Sequence, residues 1–207
     1  TWDIRGPYCD AWPVNHAAYD PNSGSILAAG MSTWYGPAIW KSSDFGASWS
    51  HSSEGLTYGE SADPLAQAWL IKPANGVVYA GVEPAGLFKS TDAGETWEHV
   101  AGLSNHPTRP HWQPGGGGLM VHTMEVDPRD PAHLYVGISV AGVFESRDGG
   151  ATWAPRNQGI DFDFPTEAPE IANCAHHFEL DRKDPDVLYQ QSHAGVFVSK
   201  DGGTNWQ

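Results

Sequence analysis

A short phrase recurs four times along the chain and restricts its fold more than any other feature. It reads Ser42-x-Asp44-x-Gly46-x-Ser48-Trp49, then Ser90-x-Asp92-x-Gly94-x-Thr96-Trp97, Ser146-x-Asp148-x-Gly150-x-Thr152-Trp153 and Ser199-x-Asp201-x-Gly203-x-Asn205-Trp206. Its aspartates stand 48, 56 and 53 residues apart. A period near ~50 made of short apolar strands predicts a β-propeller, because one blade cannot bury its faces until a neighbour stacks on it. The predicted class is all-β, with four-stranded antiparallel blades, about four of them present.

The phrase has a physical reading. Ser, Thr and Asp side chains can bond the backbone N–H groups of a tight turn. The Gly supplies a positive φ, and the Trp packs between sheets. All four copies resemble the Asp-box, or BNR, repeat of sialidases, sortilin-type receptors and xyloglucan-degrading propellers. They are also similar to soluble bacterial BNR-repeat proteins of glycosyl-hydrolase type. The resemblance implies that Asp44, Trp49, Asp92, Trp97, Asp148, Trp153, Asp201 and Trp206 are structural, at the blade periphery and away from the catalytic pocket.

The blades are expected at about 7–54, 66–102, 119–158 and 174–207, with 1–6 an outer strand of a preceding or closing blade. The chain reads as a single partial propeller. Missing blades, self-association or closure of a four-bladed ring by residues 1–6 would complete it. A formal charge of −14 opposes binding to nucleic acid and to anionic lipid surfaces. No apolar run is long enough to span a membrane, and no signal peptide is legible, so cytoplasmic residence is the expectation. Cys9 and Cys174 are expected as reduced thiols, a single bridge being the alternative.

Strand direction sorts the loops. If each inner strand, such as 121–127, runs downward, the first–second turn and the Asp box lie at the bottom of the blade. The second–third loop and the link to the next blade then lie at the top. The links are long, at about 50–66, 98–120 and 154–174, and long irregular loops on one side of a domain usually carry function.

Counting back from the inner-strand ends Asp20, Lys72, Asp127 and Asp181 places Asn15, Gln67, His122 and His176 at one equivalent position. His16, Ala68, Thr123 and His177 occupy the next. A wholly polar set at the start of otherwise apolar strands needs partners, and makes a reasonable pocket floor. The candidate catalytic residues are His122, His176, Glu83, Asp10 and Glu167. Asn15, His16, Gln67, Arg109, His111, Trp34, Tyr35 and His193 are candidates for holding a ligand. The run 113–118, rich in glycine, lets backbone approach a ligand or a neighbouring blade. Neutral imidazoles suit zinc and similar divalent ions, which makes His122, His176, His177 and His193 candidate ligands, with no cofactor firmly indicated.

The resemblance to sialidases implies an arginine cluster for the substrate carboxylate. With six arginines, three of them in bottom turns or an Asp box, no triad can be assembled. Paired carboxylates of glycosidase type remain open, and no Gly-x-Ser-x-Gly elbow appears. The reading is a hydrolase acting on a carbohydrate-like substrate, with a small molecule or glycan as ligand. A non-catalytic glycan- or protein-binding propeller is the first alternative, and a metal-dependent hydrolase using the channel-mouth histidines the second.

Overall fold

The computed structural model describes residues 6–9, 12–32, 34–59, 64–160, 168–171 and 173–207. Four antiparallel meanders account for the strands. The first holds β1 (Val14–Asp20), β2 (Ser25–Ser32), β3 (Gly36–Ser42) and β4 (Ser50–Ser52), in that order. The second holds β5 (Gln67–Ala74), β6 (Val77–Glu83), β7 (Gly86–Ser90) and β8 (Glu98–His99). In the third, β9 (Val121–Val126), β10 (Leu134–Ile138), β11 (Gly142–Ser146) and β12 (Ala154–Pro155) follow the same order. The fourth is three-stranded, with β13 (His177–Leu180), β14 (Leu188–Ser192) and β15 (Gly195–Ser199). Beyond it Gln207 exchanges both backbone hydrogen bonds with Val198, which is the pairing of an outer strand. These are β-propeller blades.

The chain divides into two compact units, Thr1–Val82 with Phe88–His99, and Glu83–Leu87 with Val100–Gln207. In the first, Leu27 and Ile39 pack with Ile71, Val78, Val82, Phe88 and Trp97. In the second, Tyr135 and Val143 pack with Ile160, Phe178, Leu188 and Trp206. Every residue of β10 and β11 is buried, as expected of strands covered on both faces. Strand β14 instead alternates, with Leu188, Gln190 and Ser192 buried and Tyr189 and Gln191 exposed.

The Asp boxes are built alike. In the first, Ser42 donates to Asp44 Oδ1 at 2.8 Å and accepts from the Gly46 N–H at 2.7 Å. Asp44 accepts from both the backbone and the hydroxyl of Ser48, at 2.8 and 2.6 Å. The same bonds recur at Asp92, Asp148 and Asp201, where the Asn205 amide replaces the hydroxyl. The turn needs positive φ at two successive residues. The first is Phe45, Ala93, Gly149 or Gly202, and the second is always Gly. Trp97, Trp153 and Trp206 are buried, whereas Trp49 is half-buried against Cys9, Ala28 and Trp40.

A second repeated device is absent from the sequence reading. Each outer strand is followed by a Gly and then a buried Leu or Ile: Gly55-Leu56, Gly102-Leu103 and Gly159-Ile160. The glycine backbone lies flat against the next Asp box. A Cβ on Gly55 would stand 2.0 Å from the Trp97 carbonyl oxygen, and one on Gly159 2.2 Å from that of Trp206. The preceding carbonyl accepts the Trp N–H, Glu54 from Trp97 at 2.9 Å and Gln158 from Trp206 at 2.8 Å. The second link is also less irregular than its composition suggests, folding into α1 (Ala101–Ser104) and a 3-10 turn at Arg109–His111.

Candidate functional site

The equivalent polar positions of β1 and β9 sit where their strands depart from regular pairing. In β1, Val14 pairs with Gly30 and His16 with Ala29, so Asn15 is an extra residue. In β9, Thr123 pairs with Gly137 and Val121 with Ile138, so His122 is the extra one. A β-bulge re-aims the side chain it carries, and is a common device beside functional sites. The signal for it is a pair of consecutive polar residues, Asn15-His16 and His122-Thr123, opening an apolar strand.

Partners follow from that placement. Asn15 donates its amide N–H groups to Gln67 Oε1 at 3.0 Å and to the Ala68 carbonyl at 2.9 Å, so the equivalent positions of the first two blades meet. His16 Nδ1 accepts from the Ile71 N–H at 3.4 Å, and burial, helped by Lys72, lowers its pKa. In the other unit the His122 and His176 rings lie 6.1 Å apart. His122 Nε2 is 2.8 Å from Ser139 Oγ. Burial, and then the neighbouring His176, push the His122 pKa down, so this imidazole is neutral at neutral pH.

His176 meets His193, the two Nε2 atoms 3.1 Å apart. The His176 N–H donates to the carbonyl of Gln191, the residue that His177 pairs with, so His176 is an extra residue at the start of β13. His177 bonds Glu179 at 3.3 Å and is exposed. The ligand atoms of Cys174, His176 and His193 all lie within 4.8 Å of one another. Cys174 and Cys9 are both buried and form no disulfide. The Cys174-x-His176 pair just before β13 is the signal the sequence reading passed over.

Aromatic residues occupy the β2–β3 loop. Trp34 is 89% exposed and Tyr35 81%. Tyr35 stacks on Trp12 with ring centroids 6.1 Å apart and planes 6° from parallel, and Trp12 in turn meets Trp40 edge-on. The Ser32 hydroxyl accepts from both the Trp34 and Tyr35 N–H groups and holds the loop tip.

Trp112 is buried against Phe144, and the Arg109 guanidinium lies 4.8 Å over its ring. His111 is exposed at the end of the same turn. The Glu83 carboxylate rests on the backbone of Gly118, where an added Cβ would come within 2.0 Å of it. The glycine run thus approaches a side chain of its own unit. Asp10 and Glu167 lie outside the described residues.

Three arginines, Arg129, Arg147 and Arg156, serve the scaffold. Buried Glu145 accepts from Arg147 and Arg156 and from His133 at 2.7 Å, while Tyr135 donates to it at 3.3 Å. Burial raises the Glu145 pKa, but Arg156 and His133 outweigh it and the net shift is downward. His133 also donates to Asp127, which Arg129 grips at 2.7 Å while reaching Asp186. Asp127 falls to about 2, chiefly through Arg129. Sequence reasoning missed this network because its members are scattered over three strands and turns. Among the described residues no arginine cluster faces the polar strand starts.

Bulged inner strands, repeated Ser-Asp-Gly-Trp turns and four-stranded meanders define the chain as a β-propeller. No protein-family profile matches it. Its sequence is similar to xyloglucanase Xgh74A of Acetivibrio thermocellus, 25% identical over 219 residues, covering 92% of this chain and 24% of that protein. The chain thus spans about a quarter of that curated relative's length. Among solved structures it shares its fold with an ancestral GH74 enzyme, at a TM-score of 0.63 and 20% identity, over 94% of this chain and 23% of that one. It likewise resembles the GH74 xyloglucanase from Xanthomonas campestris, at a TM-score of 0.52 and 19% identity, over 94% of this chain and 38% of the other.

Proposed function

We propose that this chain is part of a carbohydrate-active propeller that grips a neutral glucan-type polysaccharide, as a segment of a xyloglucanase-like hydrolase. The observation that carries the reading is the Trp34–Tyr35 loop, two aromatic rings exposed at a blade end away from the Asp boxes. Large aromatic side chains left in water at that density mark a binding surface. A flat ring presents an apolar face to the C–H face of a sugar, while the polar strand starts offer hydroxyl partners. Similarity to a xyloglucanase over 92% of the chain supports the substrate class. A net charge of −14 suits a neutral polymer and repels an anionic one.

The test is affinity electrophoresis of the chain in xyloglucan-containing gels, with release of reducing ends measured in parallel. Retardation is expected, and Trp34→Ala with Tyr35→Ala should weaken it about tenfold or more, since ~1.4 kcal/mol of lost stacking corresponds to a factor of ten. Unretarded migration, or retardation indifferent to both substitutions, overturns the proposal. Release of reducing ends by the chain alone would assign it the chemistry as well as the grip.

A further inference from the structure

We infer that Cys174, His176 and His193 form a binding site for a zinc-class divalent ion, independent of the glucan reading. Three observations converge. The first is composition. One thiol and two imidazoles are a borderline-soft set that suits zinc, whereas calcium and magnesium demand oxygen ligands that the cluster lacks.

The second is geometry. With zinc–nitrogen bonds of about 2.0–2.1 Å, two nitrogens 3.1 Å apart subtend about 100° at an ion between them, close to a tetrahedral angle. The thiol stands within 4.8 Å of a ring nitrogen of each histidine.

The third is placement. Cys174 is only 4% exposed and His176 half-buried, while His193 sits exposed in the turn between β14 and β15. The ion would therefore be gripped on the protein side and open to solvent on the other. Three protein ligands and one open position is the arrangement of a zinc site that keeps a water. Partners outside the ligand set hold the rings. The Gln191 side-chain amide lies 3.4 Å from His176 Nδ1, and Ser192 Oγ accepts from the Ala194 N–H within the turn that carries His193. In the metal-free site the Gln191 amide nitrogen suits Nδ1 as an acceptor; with Nε2 on the ion, Nδ1 carries the proton and the Gln191 amide must turn its oxygen to it.

Proton balance is simple. The Cys174 thiol releases its proton as the sulfur–metal bond forms. The imidazole whose Nε2 carried the shared proton passes to its Nδ1–H tautomer, so one proton leaves per ion bound.

The whole chain, stripped with EDTA, should take up one zinc ion by equilibrium dialysis. Cobalt(II) in its place should give a thiolate-to-cobalt charge-transfer band in the near ultraviolet. His193→Gln, at an exposed turn, should lower zinc affinity at least about 100-fold, beyond the ~10–100-fold typical of losing an outer-shell partner. Cys174→Ala should abolish the charge-transfer band. His177→Gln, at an exposed histidine bonded to Glu179, should leave both readouts unchanged. The inference fails if wild-type chain shows no stoichiometric uptake or no thiolate band. It fails equally if His177→Gln costs as much affinity as His193→Gln. The wild-type cobalt spectrum decides the thiolate question even if Cys174→Ala does not fold.

Discussion

Four tryptophans end the Asp boxes, yet they are not equivalent residues. Trp153 is 8% exposed and donates its indole N–H to the Gly150 carbonyl at 3.0 Å, whereas Trp49 is half-buried. Truncating a buried Trp costs about 3–5 kcal/mol, so Trp153→Ala should lower the unfolding midpoint in urea far more than Trp49→Ala. Equal losses would show that the turn and not the burial sets the cost. The aspartates of the same boxes report on pH. Hydrogen bonds, led by those from Ser48, Ser90 and Thr152 respectively, hold Asp44, Asp92 and Asp148 down at about 2. An unfolded aspartate titrates near ~3.9. Because the folded value is the lower one, their stabilisation is complete above about pH 4 and is lost as pH falls towards 2. Solvent screening keeps each contribution small, since these side chains are exposed. Thermal melts between pH 5 and 2 should show the midpoint falling only in the lower part of that range, and less steeply in Asp148→Asn.

At the scale of elements, the strands and their turns were legible and the links between blades were not. The repeated phrase marked one turn per blade and its period gave the fold class, while two-sided burial explains the continuous apolar run at Leu134–Ile138. The Gly-Leu/Ile clamp after each outer strand escaped notice, although it recurs as Gly55-Leu56, Gly102-Leu103 and Gly159-Ile160. Its meaning depends on a carbonyl one blade further on. Gly159 has φ +94 and no room for a Cβ beside the Trp206 carbonyl. Gly159→Ala should therefore cost at least about 1–3 kcal/mol from backbone strain alone, measured by chemical denaturation. Gly149→Ala, also at positive φ but with nothing within 4 Å, isolates that strain from the clash. Should the two variants unfold alike, the clamp contributes nothing beyond its φ.

For the molecule as a whole, sequence period determined the fold class, and residue chemistry the turns that recur with it and the positions at which polar groups open the inner strands. Those features are local or repeated: a tight turn needs its glycine and hydroxyls wherever it occurs, and an equivalent position recurs once per blade. Tertiary structure decided which polar groups meet. Asn15 and His122 are aimed by bulges, which arise from a mismatch between two strands, so the polar pairs that open those strands show where and not which way. Cys174 joined His176 and His193 only because the packed chain carries residues before β13 and after β14 to one point, while His177, one residue away, bonds Glu179. The arginines were bound into the Glu145 and Asp127 networks by contacts between turns distant in sequence. A sequence states which chemistry each residue can perform; convergence within a few ångströms is a property of the packed chain.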